Sequence, residues 1–184
     1  MKHLLRATTA FLIVISLAAC SNNNSDKKTD TAKGHDHSKM EQADNTANTS
    51  PVLKNGKLNA VYQHYVHLTT ALTNNDMAEA KIAANAIEAG AKEVEGASGI
   101  AASSSKIANA SDIEIQRASY AILSKDMESL IKKEGLASGE LYVDFCPMAL
   151  NDKGATWISA NKEIRNPYFG DKMLTCGEVQ ETIK

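Results

Sequence analysis

Leu58-Asn59-Ala60-Val61-Tyr62-Gln63-His64-Tyr65-Val66-His67-Leu68-Thr69-Thr70-Ala71-Leu72 is the stretch that decides the fold. Leu58, Val61, Tyr62, Tyr65, Leu68, Thr69 and Leu72 recur at steps of three and four residues, so they share one side of a helix. A face this apolar and this long needs other helices to cover it.

Downstream, Asn74-Asn75-Asp76 breaks the pattern, and Asp76 is suited to cap the next helix. That helix carries Ala80, Ala83, Ala84, Ile87, Ala91 and Val94 on one side, a small-residue face that lets a neighbour pack close. The Gly-, Ser- and Ala-rich stretch from Gly96 to Ala110 leaves room for a short helix without requiring one. Ser111-Asp112-Ile113-Glu114 reads as a capping box with Ser111 as the cap. The helix it opens bears Ile113, Tyr120, Leu123, Met127, Leu130 and Ile131, and Gly135 ends it. The expected fold is mainly α: an up-and-down bundle of three to four helices. Beyond Gly139, Leu141, Val143 and Phe145 alternate with Tyr142 and Asp144, which signals one short strand. The rest, Cys146 to Gly177, reads as an irregular, metal-binding-like clip within residues 139–184.

Upstream the character changes twice. Residues 20–56 are polar and carry almost no large apolar side chain, so they are expected to form a flexible tether to a folded domain at 57–184. Residues 1–19 have the form of a signal peptide: Lys2 and Arg6, then an apolar run centred on Phe11 to Ile15, too short to span a bilayer. Leu17-Ala18-Ala19-Cys20 resembles a bacterial lipobox, which implies cleavage before Cys20 and a lipid on its sulfur that holds the protein to a membrane. Ser21, where an inner-membrane retention signal has aspartate, leans towards the outer membrane. Export also places the chain where disulfides persist.

The clip holds both remaining cysteines, the only tryptophan and two of the three prolines. Cys146-Pro147-Met148 puts two sulfurs two positions apart, on one side of an extended chain. Met173-Leu174-Thr175-Cys176 puts two more three apart, on one side of a helical turn, before Gly177. Two thiolates and two thioethers form a soft donor set suited to Cu(I), or to Ag(I) as its mimic. The same residues allow a plain structural disulfide between Cys146 and Cys176, with the methionines as core filler. Both readings stay open, and they can coexist, because oxidation removes the thiolates.

Phe145-Cys146-Pro147-Met148-Ala149, Gly154-Ala155-Thr156-Trp157-Ile158-Ser159 and the run from Glu163 to Gly177 together resemble the domain of unknown function 3347 family. Tyr65, Leu68, Ala71-Leu72 and Asp76 resemble it more weakly. This family of exported domains occurs in lipoproteins and at the C-terminus of periplasmic adaptors of heavy-metal efflux pumps. The resemblance implies periplasmic heavy-metal handling, copper foremost, with an efflux system as partner.

Trp157, Arg165, Asn166, Pro167, Tyr168 and Phe169 are taken as shapers of the clip. Asn166-Pro167 is a turn signal. Arg165 is expected to tie the loop to a carbonyl or carboxylate. Trp157 has the ring to cap a Cu(I) ion, though a lone tryptophan more often packs in a core. His64 and His67 stand one turn apart and are the further candidate ligands. His67 points nearly opposite the apolar face and His64 sits on its flank, so a solvated face is the simpler expectation. His35, His37 and Met40 form a weak metal-capture pattern in the tether.

A net charge of -2 and a pI near 6.2 give no footprint for nucleic acid. No nucleophile elbow, zinc-protease or phosphate-loop motif is present, so a non-enzyme is expected. Two functions follow: a lipid-anchored Cu(I) binder that buffers metal or delivers it to efflux, and a disulfide-stapled envelope adaptor without metal.

Overall fold

The computed structural model describes residues 50–184. Cys20, His35, His37 and Met40 lie outside the described residues. The described chain is mainly helical, with two small antiparallel sheets.

α1 runs Gly56–Thr73 and buries Leu58, Val61, Tyr62, Tyr65, Leu68 and Leu72, the face its periodicity marks. α2, Met77–Ala91, opens on Asp76, whose carboxylate accepts from the Glu79 amide at 2.9 Å. Its small-residue face brings it close to α1. A Cβ placed on Gly90 would stand 2.9 Å from a Val61 methyl.

The Gly/Ser/Ala stretch does hold a helix: α3, Ser98–Ala108, buries Ile100, Ser103, Ser104 and Ile107. Only two of these are apolar, which is why periodicity did not reveal it. α4 spans Ile113–Glu134 and ends at Gly135 with φ +80°. Its cap is Asp112 and not Ser111. The Asp112 carboxylate accepts from Ile115 N–H at 2.9 Å, and the Ser111 hydroxyl turns to Asp112. Consecutive helices pack on one another, as an up-and-down bundle requires.

β1, Val52–Leu53, pairs with β2, Leu136–Ser138, and Leu53 is buried. Asn55 caps α1 by accepting from Leu58 N–H, and its amide reaches Glu134.

The C-terminal third is more regular than its sequence suggests. β3, Leu141–Cys146, is the centre of a three-stranded antiparallel sheet in the order β4-β3-β5, with β4 at Ala155–Ser159 and β5 at Glu178–Ile183. β4 lies inside the stretch expected to be irregular. β4 leans on α4, and a buried hydroxyl network fastens the two. Tyr65 Oη accepts the Ile158 amide at 3.0 Å and meets Ser124 and Tyr120, each at 2.9 Å. Burial pushes the pKa of Tyr65 and of Tyr120 up, keeping both as neutral hydrogen-bonding groups.

Candidate functional site: a cysteine pair under a pinned loop

Strand alternation places Tyr142, Asp144 and Cys146 on one face of β3 and Val143 and Phe145 on the other. Phe145 turns its ring over Gly154, where a Cβ would be 2.7 Å away. Cys146 is fully buried. The chain then leaves through Pro147 and Met148, returns as β4, and runs from Ala160 to Gly177 before β5.

That last segment is held by three buried residues. Asn166 has no exposed surface. Its Nδ2 donates to Cys176 O at 2.7 Å, its Oδ1 accepts from Tyr168 N–H at 2.7 Å, and its amide donates to Leu174 O at 2.7 Å. Tyr168 donates to Thr156 O at 2.6 Å and stands edge-on to Trp157, ring centroids 6.0 Å apart. Arg117 of α4 is the third. Its Nε donates to Pro167 O at 2.9 Å and its Nη2 to Leu72 O and to Asn75 Oδ1. One guanidinium thereby joins α4, the end of α1, the α1–α2 turn and the loop.

The expected shapers therefore divide. Asn166, Pro167, Tyr168 and Trp157 sit in the pinned loop or beneath it. Phe169 is half-buried against the core. Arg165 does not tie the loop down. It is exposed and reaches only Glu163, at 3.9 Å, because Arg117 already holds the neighbouring carbonyl. Arg117 was missed, although its spacing from Ile113 and Tyr120 puts it on the buried stripe of α4.

The loop brings Cys176 to Cys146. The two Sγ atoms are 3.1 Å apart, across 30 positions of sequence, and both are free thiols. The hydrogen bond with Cys146 and burial raise the Cys176 thiol above its ordinary value. Gly177 permits the crossing. At φ +139°, a Cβ there would lie 2.8 Å from Phe145 O and 3.0 Å from the Trp157 ring. Met173 accepts from Cys176 N–H through its carbonyl at 3.1 Å, closing the turn that leads into Cys176.

The other proposed donors stand apart. Met148 is 45 % exposed and lines a cleft of about 530 Å³ to which neither cysteine contributes. His64 and His67 are both on the solvent face of α1, and His67 Nε2 meets Glu79 of α2 at 2.8 Å. Among the described residues no cluster of three or more His, Cys, Asp and Glu is placed to hold a metal ion.

Asp144 was also missed, since alternation with an apolar face predicts a solvated side. The loop covers that side instead. Asp144 is fully buried, and neither carboxylate oxygen has a hydrogen-bond partner among the described residues. Burial pushes its pKa up to about 7.

Among the described residues no helix is long and apolar enough to cross a membrane. No curated protein and no solved structure matches the chain. The Cys146–Gly177 segment that carries most of the family resemblance lies beyond the family match, which runs from within α1 to the end of β2. Residues 61–139 match the sequence model of the family described as "Protein of unknown function (DUF3347)".

Proposed function

We propose that the domain binds a soft monovalent metal, Cu(I) before Ag(I), at Cys146 and Cys176, with Met173 completing the donor set. The single observation behind this reading is the approach of two thiols, 30 positions apart, to 3.1 Å. Metal–thiolate bonds near 2.3 Å in a tetrahedral shell separate two sulfurs by about 3.8 Å. The pair needs to part by less than about 1 Å to admit an ion. Thiolates and a thioether favour Cu(I), whereas zinc prefers cysteine with histidine or carboxylate.

The wider setting belongs to the same proposal. The protein is an exported lipoprotein held to the outer membrane through Cys20, it is not an enzyme, and it buffers Cu(I) or passes it to a heavy-metal efflux system. The lipobox at Leu17–Cys20 and the family resemblance support this setting.

The same distance favours a second reading. A disulfide at about 2.05 Å needs the sulfurs to close by about 1 Å, which would staple β3 to the loop without any metal. A raised Cys176 thiol speaks against a thiol-exchange catalyst, which works through a low-pKa thiolate.

Anaerobic competition for Cu(I) against a coloured chelator separates the readings. The reduced chain should take about one equivalent, and the Cys146→Ser/Cys176→Ser double variant should lose that uptake. Equal competition by both proteins would leave the staple as the better account. Uptake should weaken as pH falls, because protons compete for both thiolates.

A further inference from the structure

We propose that the outer face of α4 is a self-association surface, through which two copies of this chain pair with their α4 helices antiparallel. The proposal is independent of the metal reading.

α4 turns Tyr120, Leu123, Met127 and Ile131 into the core. The opposite side of such a helix is ordinarily polar. Here it carries Ile115, Ala118 and Ile122, all exposed, at steps of three and four residues. Ile115 is 46 % exposed and Ile122 53 %. The patch widens towards the sheet half. Ala118 shares a cleft with Met148, Leu150 and Phe169, and Ala121 shares another with Phe145. A lone exposed isoleucine, such as Ile82 of α2, needs no partner, whereas a contiguous apolar patch marks an interaction surface.

The charges along this face select the partner. Its N-terminal end is acidic, with Asp112 and Glu114, and further along it carries the exposed Lys125. A face that is acidic at one end and basic at the other complements itself when reversed. With a two-fold axis crossing near Ala118, Ile115 lies beside Ile122 of the second copy. Lys125 then faces Asp112 and Glu114 of the second copy, and symmetry makes each contact twice. The small Ala118 at the crossing lets the two backbones approach, and antiparallel helices oppose their dipoles favourably. A parallel pairing would set acid against acid.

The isoleucines supply the affinity, because apolar burial is the main driver of association. Exposed ion pairs add little and serve to fix the direction. A contact made by one helix and its flank is at the small end of protein interfaces, which places the dimer in the micromolar range.

The test is sedimentation equilibrium of the full chain from residue 20 onward, metal-free, reduced and carrying Cys20→Ser. The average mass should rise from one chain towards two between about 1 and 100 µM. Ile122→Lys should hold it at one chain throughout that range. Its circular dichroism should be unchanged, because Ile122 is exposed. Lys125→Glu should weaken pairing by about tenfold, and by less at high salt. Ile82→Lys, an equally exposed change on α2, should leave the dimer intact. A chain that stays single throughout the range overturns the proposal and leaves the patch to a different protein. A dimer that survives Ile122→Lys, or that Ile82→Lys breaks as readily, overturns it too by placing the interface elsewhere.

Discussion

The helical half and the sheet half of this domain are held by different kinds of contact. α1 to α4 bury apolar stripes against their neighbours, with Ala80, Ala83, Ala84 and Gly90 allowing close approach. The region from β3 to β5 is held by polar groups: Asn166 on three backbone partners, Tyr168 on Thr156 and Arg117 on Pro167. Apolar stripes tolerate change because burial is non-directional. A polar clamp is directional, and losing one partner strands the others. The comparison teaches that, with Cys146 set in the apolar core, the placement of Cys176 beside it depends on a few directional hydrogen bonds.

Arg117 offers the sharpest way to break that contrast. Arg117→Met keeps the side-chain volume but abandons the carbonyls of Pro167 and Leu72 and the amide oxygen of Asn75. Urea unfolding should register a loss of about 3 kcal/mol. Hydrogen exchange should show the loss of protection centred on residues 160–177, with α2 and α3 spared. Uniform loss across both halves would mean that the guanidinium is not a clamp between them.

Asp144 tests the sheet half from the other direction, because here a polar group is buried without reward. Its folded pKa of about 7 lies above the unfolded value of about 3.9, so folding favours the protonated acid. Stability is whole below about pH 4 and drains away as pH rises through 7. Asp144→Asn should therefore stabilise the domain by roughly 4 kcal/mol at pH 8 and by little at pH 4, read from melting curves across that range. A gain that does not grow with pH would show that the carboxyl finds a partner when ionised.

The smallest effect probes the helical half alone. Asp112→Ala should cost about 1 kcal/mol and Ser111→Ala a few tenths, since only Asp112 accepts an amide of the first turn of α4. The reverse order would restore Ser111 as the cap.

What sequence reveals follows the same divide. The buried faces of α1, α2 and α4 were legible because a helix writes its core contacts at local spacing. α3 was hidden because its buried residues include Ser103 and Ser104. β4 and β5 were hidden because their partner, β3, is non-local and their own apolar content is low. β5 exposes every residue except Ile183. The cysteine pair was legible as chemistry, but the place of each methionine was not. Met173 lies in the turn that delivers Cys176, while Met148 faces a cleft. Arg117 and Asp144 went unseen because what covers them is the loop from Ala160 to Gly177, at least 16 residues away in the chain.

The central claim is that sulfur, and not histidine, holds the metal. X-ray absorption at the copper edge of the reduced, Cu(I)-loaded chain tests it most directly. A first shell of sulfur alone, reduced to fewer sulfurs in Cys146→Ser, is the expected result. A shell dominated by nitrogen or oxygen would contradict it, and would move the metal away from Cys146 and Cys176 to the histidines.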